Sequence, residues 1–202
     1  MTRRRMLATA AAALAAVALT FSLSACTSTD AATQAFRDGQ NAGYIGGDGR
    51  WVEVPEAERD KPVDFAGVTQ DGDEVSGADL RGNVVVINFW YAACGPCRVE
   101  APDLEKVYQD HKDNGVSFIG INTADQADTA KSFMKTYGVT YPSIIDAGDG
   151  AAKIAFAQTV PLQASPNTVV LDKEGRVAAR IIGAIDGPSV LNTFVTELSE
   201  ES

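Results

Sequence analysis

Two cysteines separated by two residues, Cys94-Gly95-Pro96-Cys97, lie just beyond the run Val84-Val85-Val86-Ile87-Asn88-Phe89-Trp90. A Cys-x-x-Cys where a buried strand gives way to a helix has the spacing of a thiol–disulfide redox pair, because a two-residue turn lets the sulfurs close a small disulfide. At the start of a helix the first N–H groups have no partner within the helix, and together with the helix dipole they favour a thiolate at Cys94. Pro96 suits the first helical turn, where a missing N–H costs little. This order predicts Cys94 as the exposed attacking sulfur and Cys97, one turn in, as the shielded sulfur that resolves the mixed disulfide. Three other uses of the motif compete. A zinc site needs two further ligands, and the rest of the chain offers only His111 and Cys26. Haem attachment needs His after the second Cys, where Arg98 stands. A purely structural bridge would close a very short loop and gain little chain entropy. The strand-to-helix setting favours redox chemistry, which calls for no metal and no cofactor.

Something must place that pair in the right compartment, and the N-terminus reads as an export segment. Arg3, Arg4 and Arg5 precede a nearly unbroken apolar stretch, residues 6–21, followed by Leu23-Ser24-Ala25-Cys26. Leu-Ser-Ala-Cys resembles the bacterial lipobox, which implies lipidation of Cys26 as the first mature residue, with residues 1–25 as the signal peptide. An ordinary signal peptide or an uncleaved span are the alternatives, although the Ala, Thr and Ser content makes a poor membrane helix. Residues 2–7 also bear a weak likeness to a twin-arginine signal. Each reading places the domain outside the cytoplasm, and the lipobox resemblance implies that a lipid on Cys26 tethers it to the cell membrane.

The whole chain of 202 residues carries a net charge of −10, with 17 Lys+Arg against 27 Asp+Glu. Loss of three leader arginines takes the mature charge to about −13, which argues against nucleic acid or anionic lipid headgroups as partners. Residues 26–50 are poor in large apolar side chains and read as a flexible tether. A single folded domain is expected over residues 51–202.

Within that domain the pattern alternates. Residues 51–54 form a short strand or a hydrophobic tuck, and residues 63–76 a hairpin turning at Gln70-Asp71-Gly72-Asp73. Residues 84–90 and 116–121 are strands, 96–111 and 127–137 helices, the latter ending at Gly138. Residues 168–171 and 176–182 are strands joined by the turn Asp172-Lys173-Glu174-Gly175. Residues 188–198 close the chain as an amphipathic helix. The sum is an α/β fold: a mixed sheet with helices on both faces and an N-terminal β-hairpin extension. Pro102 falls inside the first helix and is expected to kink it. His111 reads as a solvated helix-end residue. Phe133, Tyr137 and Phe156 read as core aromatics, and Asp146, Asp149, Asp172 and Asp186 as turn residues beside glycines.

Asn88-Phe89-Trp90, the Cys pair, Arg98, Glu100 and Pro102 together resemble the thioredoxin superfamily, in particular its membrane-anchored TlpA/ResA-like thiol–disulfide oxidoreductases. The resemblance covers about residues 60–200. It implies a thioredoxin-like sheet, and that Pro166 is a cis-proline facing the Cys pair. It also implies that the Ser165 backbone offers edge-strand hydrogen bonds to a substrate polypeptide, with Trp90, Gly95 and Pro96 completing the active site. Glu100 matches an acidic residue three positions after the second Cys. At i, i+3 it shares a helix side with Cys97 and could accept and return that thiol's proton if burial raised its pKa. A surface Glu favourable to the helix N-terminus is the alternative.

Two departures stand out. Ala93 replaces the Trp usual before the first Cys, leaving Trp90 and Tyr91 as possible replacements for that wall. Asn88 stands where cytoplasmic thioredoxins bury an Asp, which strengthens the case for Glu100 as proton relay. The resulting expectation is a reductant of exported proteins, apocytochrome c among them, recharged by a membrane thiol-electron donor. The alternatives are an oxidase or isomerase of secreted proteins, and a non-catalytic binding lipoprotein.

Overall fold

The computed structural model describes residues 50–201. The leader, Cys26 and all but the last residue of the expected tether lie outside the described residues.

Among the described residues eight strands and four α-helices follow one another: β1 (Trp51–Glu53), β2 (Ala66–Val68), β3 (Glu74–Ser76), β4 (Val84–Trp90), α1 (Gly95–His111), β5 (Val116–Asn122), α2 (Ala127–Tyr137), β6 (Ser143–Ile145), α3 (Ala151–Ile154), β7 (Asn167–Leu171), β8 (Val177–Ile182) and α4 (Ser189–Glu200). All seven residues of β4 are buried, as befits a central strand covered on both faces. It pairs in parallel with β5, from Val84 beside Val116 to Trp90 beside Asn122, and antiparallel with β7 on its other side. The full order is β1-β8-β7-β4-β5-β6, a mixed six-stranded sheet. β2 and β3 form the separate expected hairpin, tied to the sheet by a bridge from Thr69 to Ile144.

The period of two along β4 divides its side chains between two cores. Val84 and Val86 join Leu104 and Val107 of α1 and Leu191, Val195 and Leu198 of α4. Val85, Ile87 and Phe89 face the other way, onto Phe65, Ala152 and Phe156, beneath the hairpin and α3. Trp90 continues the α1 face and carries Phe133 of α2 against it, ring centroids 4.5 Å apart. Helices therefore cover both faces unequally: three long ones on one, a single short one plus the hairpin on the other.

Two elements escape the sequence reading. β6 is three residues long and α3 four, too short for any periodic signal. Asp146, expected as a turn residue, is buried, and its two carboxylate oxygens accept the N–H groups of Ala152 and Lys153, each at 2.9 Å, to anchor α3. Pro102 sits inside α1, which runs continuously through it. Gly138 ends α2 with φ +74°, in the left-handed region that glycine adopts without a Cβ clash. Among the described residues no helix is long and apolar enough to cross a membrane.

Candidate active site

β4 and β5 run in register to their last residues, so the chain leaves the sheet at Trp90 and turns into α1 through Tyr91, Ala92 and Ala93. Cys94 is the N-cap of α1, and its Sγ accepts the N–H of Cys97 at 3.2 Å. That contact satisfies a donor the helix leaves unpaired, which is the arrangement that favours a thiolate once the bond is reduced. Cys94 and Cys97 form a disulfide, with Cα atoms 5.3 Å apart.

Exposure does not separate the two sulfurs as expected: Cys94 is 3% exposed and Cys97 2%. Cys94 packs with Cys97 in a cluster with Trp90, Ala101, Phe133 and Met134. The exposed surface at the junction is made by Ala93, Gly95 and Pro96. What distinguishes Cys94 is its N-cap backbone position, half outside the helix.

Glu100 lies one turn beyond Cys97 on the buried side of α1 and is 1% exposed. Both carboxylate oxygens are occupied. Asn88 Nδ2 donates to Oε1 at 2.9 Å, and the backbone N–H of Ile185, on the β8–α4 connection, donates to Oε2 at 3.0 Å. Asn88 also reaches Thr168 Oγ1 at 3.3 Å, so the carboxylate is held by β4, β7 and the β8–α4 connection together. Burial pushes the Glu100 carboxyl up to about 7, against the opposing pull of the Ile185 and Asn88 donors. Buried Tyr141 is held protonated by its own burial and by the negative charge of Glu100 and Glu105. Glu100 is thus a buried acid poised near neutrality, not a surface residue near a helix end.

Trp90 does not form an exposed wall in place of the missing aromatic at position 93. Its indole is buried beneath the Cys pair, stacked on Phe133, and its Nε1 donates to Ser143 Oγ at 2.9 Å. Close passage of Gly120 makes room for it: a Cβ there would fall 2.8 Å from Trp90 Nε1 and 2.5 Å from Ser143 Oγ. Tyr91 is half-buried. The Ser165-Pro166 peptide is cis, with Pro166 buried and Ser165 half-buried at the entrance to β7. Asn167 shapes this approach. Its Nδ2 donates to the carbonyls of Ala164 at 2.7 Å and Pro161 at 3.3 Å, and its Oδ1 accepts Gly183 N–H at 3.3 Å.

Thr168, Ser143, Asn122 and Asn167 were not singled out from sequence. One signal was there: each is a polar residue within or at the end of an otherwise apolar strand, where burial demands a partner. His111 is half-buried, its Nε2 2.7 Å from Asn192 Oδ1 on α4, so it ties two helices at the far end of α1 from the cysteines. Among the described residues no three His, Cys, Asp or Glu side chains converge to hold a metal ion.

The arrangement has known relatives. A thiol-disulfide oxidoreductase ResA of Bacillus thuringiensis (strain Al Hakam) is 37% identical over 115 residues, 56% of this chain and 62% of that protein. The match therefore spans less than two thirds of that relative's length. Among solved structures, a secreted thiol-disulfide isomerase from Corynebacterium glutamicum superposes with a TM-score of 0.69 at 29% identity, covering 79% of this chain and 99% of that one. A thioredoxin family thiol:disulfide interchange protein from Chlorobium tepidum TLS gives 0.63 at 29% identity, over 72% and 99%. The sheet, the flanking helices and the hairpin are thus a thioredoxin-like fold. The Redoxin family matches residues 52–195, a stretch running from β1 into α4 that includes both cysteines and every side chain holding Glu100, and the chain belongs to that family.

Proposed function

We propose that the chain is an extracytoplasmic thiol–disulfide oxidoreductase that reduces disulfides of exported proteins. The observation that carries this reading is the Cys94–Cys97 disulfide at the start of α1, with a buried carboxyl poised near neutrality one turn beyond its second sulfur. In the reduced enzyme the Cys94 thiolate attacks one sulfur of a substrate disulfide. The substrate S–S bond breaks, a mixed disulfide forms, and the departing sulfur takes up a proton. Cys97 then passes its proton to the Glu100 carboxylate and attacks Cys94 Sγ. The second substrate sulfur leaves as a thiol, so the substrate has gained two electrons and two protons. A group titrating near 7 can both accept and return that proton at neutral pH. The Ser165 backbone, beside cis Pro166, would align the substrate as an added strand.

The Gly95-Pro96 dipeptide favours the reducing direction, since it matches thioredoxin at about −270 mV and not the oxidant DsbA at about −120 mV. Lipidation of Cys26 would hold the enzyme on the outer face of the cell membrane, close to the membrane dithiol donor that recharges it. Apocytochrome c, with paired haem-binding cysteines, is a suitable substrate class. Redox titration of the purified domain tests the direction: a midpoint well below −200 mV is expected, and one near that of DsbA would sink it. Trapping with Cys97→Ala, which leaves Cys94 unable to be resolved, then identifies substrates.

The second reading, an isomerase or oxidase of secreted proteins, is favoured by the likeness to the secreted Corynebacterium glutamicum isomerase. It predicts that the trapped partners are secreted proteins with several disulfides.

A further inference from the structure

Between the end of β4 and Cys94, the N-cap of α1, the chain must cross three residues, Tyr91 to Ala93, yet Cys94 has to be delivered to within bonding distance of Cys97. The residue in the middle of this crossing, Ala92, is held from both sides by charged groups. Its N–H donates to Asp125 Oδ2 at 2.6 Å, and its carbonyl accepts from Arg98 Nε at 2.9 Å. Charged hydrogen bonds of this kind are short and strong. Only Ala93 separates the held residue from the nucleophile.

Asp125 is placed to do something else. It lies just before Gln126, the N-cap of α2, whose side chain makes no capping bond, and an aspartate at this junction would ordinarily serve its own helix. Instead its carboxylate turns across to the β4–α1 crossing. Asn122, fully buried at the end of β5, aims it: Asn122 Nδ2 donates to the same Asp125 Oδ2 at 2.9 Å. Asn122 Oδ1 meanwhile accepts the N–H groups of Asp125 at 2.7 Å and Ala124 at 3.2 Å. Thr123 N–H donates to Trp90 O at 3.0 Å, so the β5–α2 connection is fastened both to the end of β4 and to the crossing. Arg98 approaches from the opposite direction, from the first turn of α1, and is itself exposed.

We propose that Asp125 and Arg98 are positioning residues for Cys94, a two-sided clamp on Ala92 that sets how readily the Cys94–Cys97 disulfide closes. The inference rests on the reading of that disulfide as the redox centre. A disulfide is stable in proportion to the effective concentration of its two thiols, which rises with the fixity of each. Releasing Ala92 gives Cys94 more freedom in the reduced state, so the disulfide becomes easier to reduce and its midpoint less negative. In the titration, dithiothreitol gives two electrons and two protons to the Cys94–Cys97 bond and closes to its own cyclic disulfide, so each midpoint reads the closure equilibrium directly.

The experiment compares midpoints of the purified wild type, Asp125→Ala, Asp125→Asn, Arg98→Ala and the Asp125→Ala/Arg98→Ala double variant, each checked for native circular dichroism. Asp125→Ala and Arg98→Ala are expected to lose about tenfold in effective concentration, which is about 30 mV toward less negative values for a two-electron couple. Asp125→Asn keeps an oxygen for the Ala92 and Asn122 donors and stays with wild type. The double variant shifts by less than the sum of the singles, because both side chains hold one residue. Arg98→Ala alters only an exposed side chain, so the test survives if Asp125→Ala does not fold. Wild-type midpoints in Arg98→Ala and in any folded Asp125→Ala overturn the clamp, as does an Asp125→Asn shift as large as that of Asp125→Ala. An oxidant-like midpoint in the wild type would instead refute the reductant reading, and leaves the differences between variants intact.

Discussion

Replacing Glu100 by Gln should remove a specific pH dependence from the stability of this protein. Folding makes the Glu100 carboxyl harder to ionise, raising it from 4.5 to about 7 by burial. Between those values the folded chain keeps a proton that the unfolded chain has released, so raising the pH draws the equilibrium toward the unfolded state. The contribution of the neutral acid is fully present below pH 4.5 and is lost as pH rises through about 7. At about 1.4 kcal/mol per pH unit, the gap corresponds to about 3 kcal/mol. Gln is uncharged throughout; its one acceptor oxygen can serve only one of the two donors, Asn88 Nδ2 and Ile185 N–H, a cost that lowers the variant by the same amount at every pH. Urea unfolding of the oxidised wild type and Glu100→Gln, at intervals from pH 4 to 8.5, isolates the effect because every other titrating group cancels in the difference. The wild type should fall relative to the variant by about 3 kcal/mol across the range, most of it between pH 5 and 7. A flat difference, or one in which the wild type gains as pH rises, would refute the assignment of Glu100 as a buried acid with a raised pKa.

Asn88→Ala removes the donor to Glu100 Oε1, one of the two contacts that favour the carboxylate, so the midpoint of the same pH series should move above that of the wild type. An unchanged or lower midpoint would show that the Asn88 contact does not hold the Glu100 titration down. Gly120→Ala forces a methyl group against Ser143 Oγ and Trp90 Nε1, and such overpacking costs about 1–3 kcal/mol. Urea unfolding should register that loss together with altered Trp90 fluorescence, since the indole must move; unaltered stability and emission would mean that the Trp90 seat is loosely packed.

Much of the framework depends on information local to the chain. Pro96 marks the helix start locally, because a missing N–H in the first turn leaves no intrahelical bond broken, and the Cys spacing is a property of the chain alone. The apolar runs of β4, β5 and β7 and the stop of α2 at Gly138 are legible for the same reason, and the i, i+3 spacing of Cys97 and Glu100 places them together on any helix. Tertiary structure alone decided what those groups meet. Glu100 acquires a raised pKa only because the folded sheet and its connections bury it, against the opposing hydrogen bonds from Asn88 and Ile185. Trp90, which could by type have walled the active site, is drawn under it by the gap at Gly120 and the hydroxyl of Ser143. β6, at three residues, exists only as the neighbour that β5 supplies with partners. Asp125 meets Ala92 because a parallel crossover brings the ends of β4 and β5 side by side. Helical and strand periods are written in near neighbours, whereas the desolvation and hydrogen bonding that tune the Cys94–Cys97 site arise between segments that only the folded sheet brings into contact.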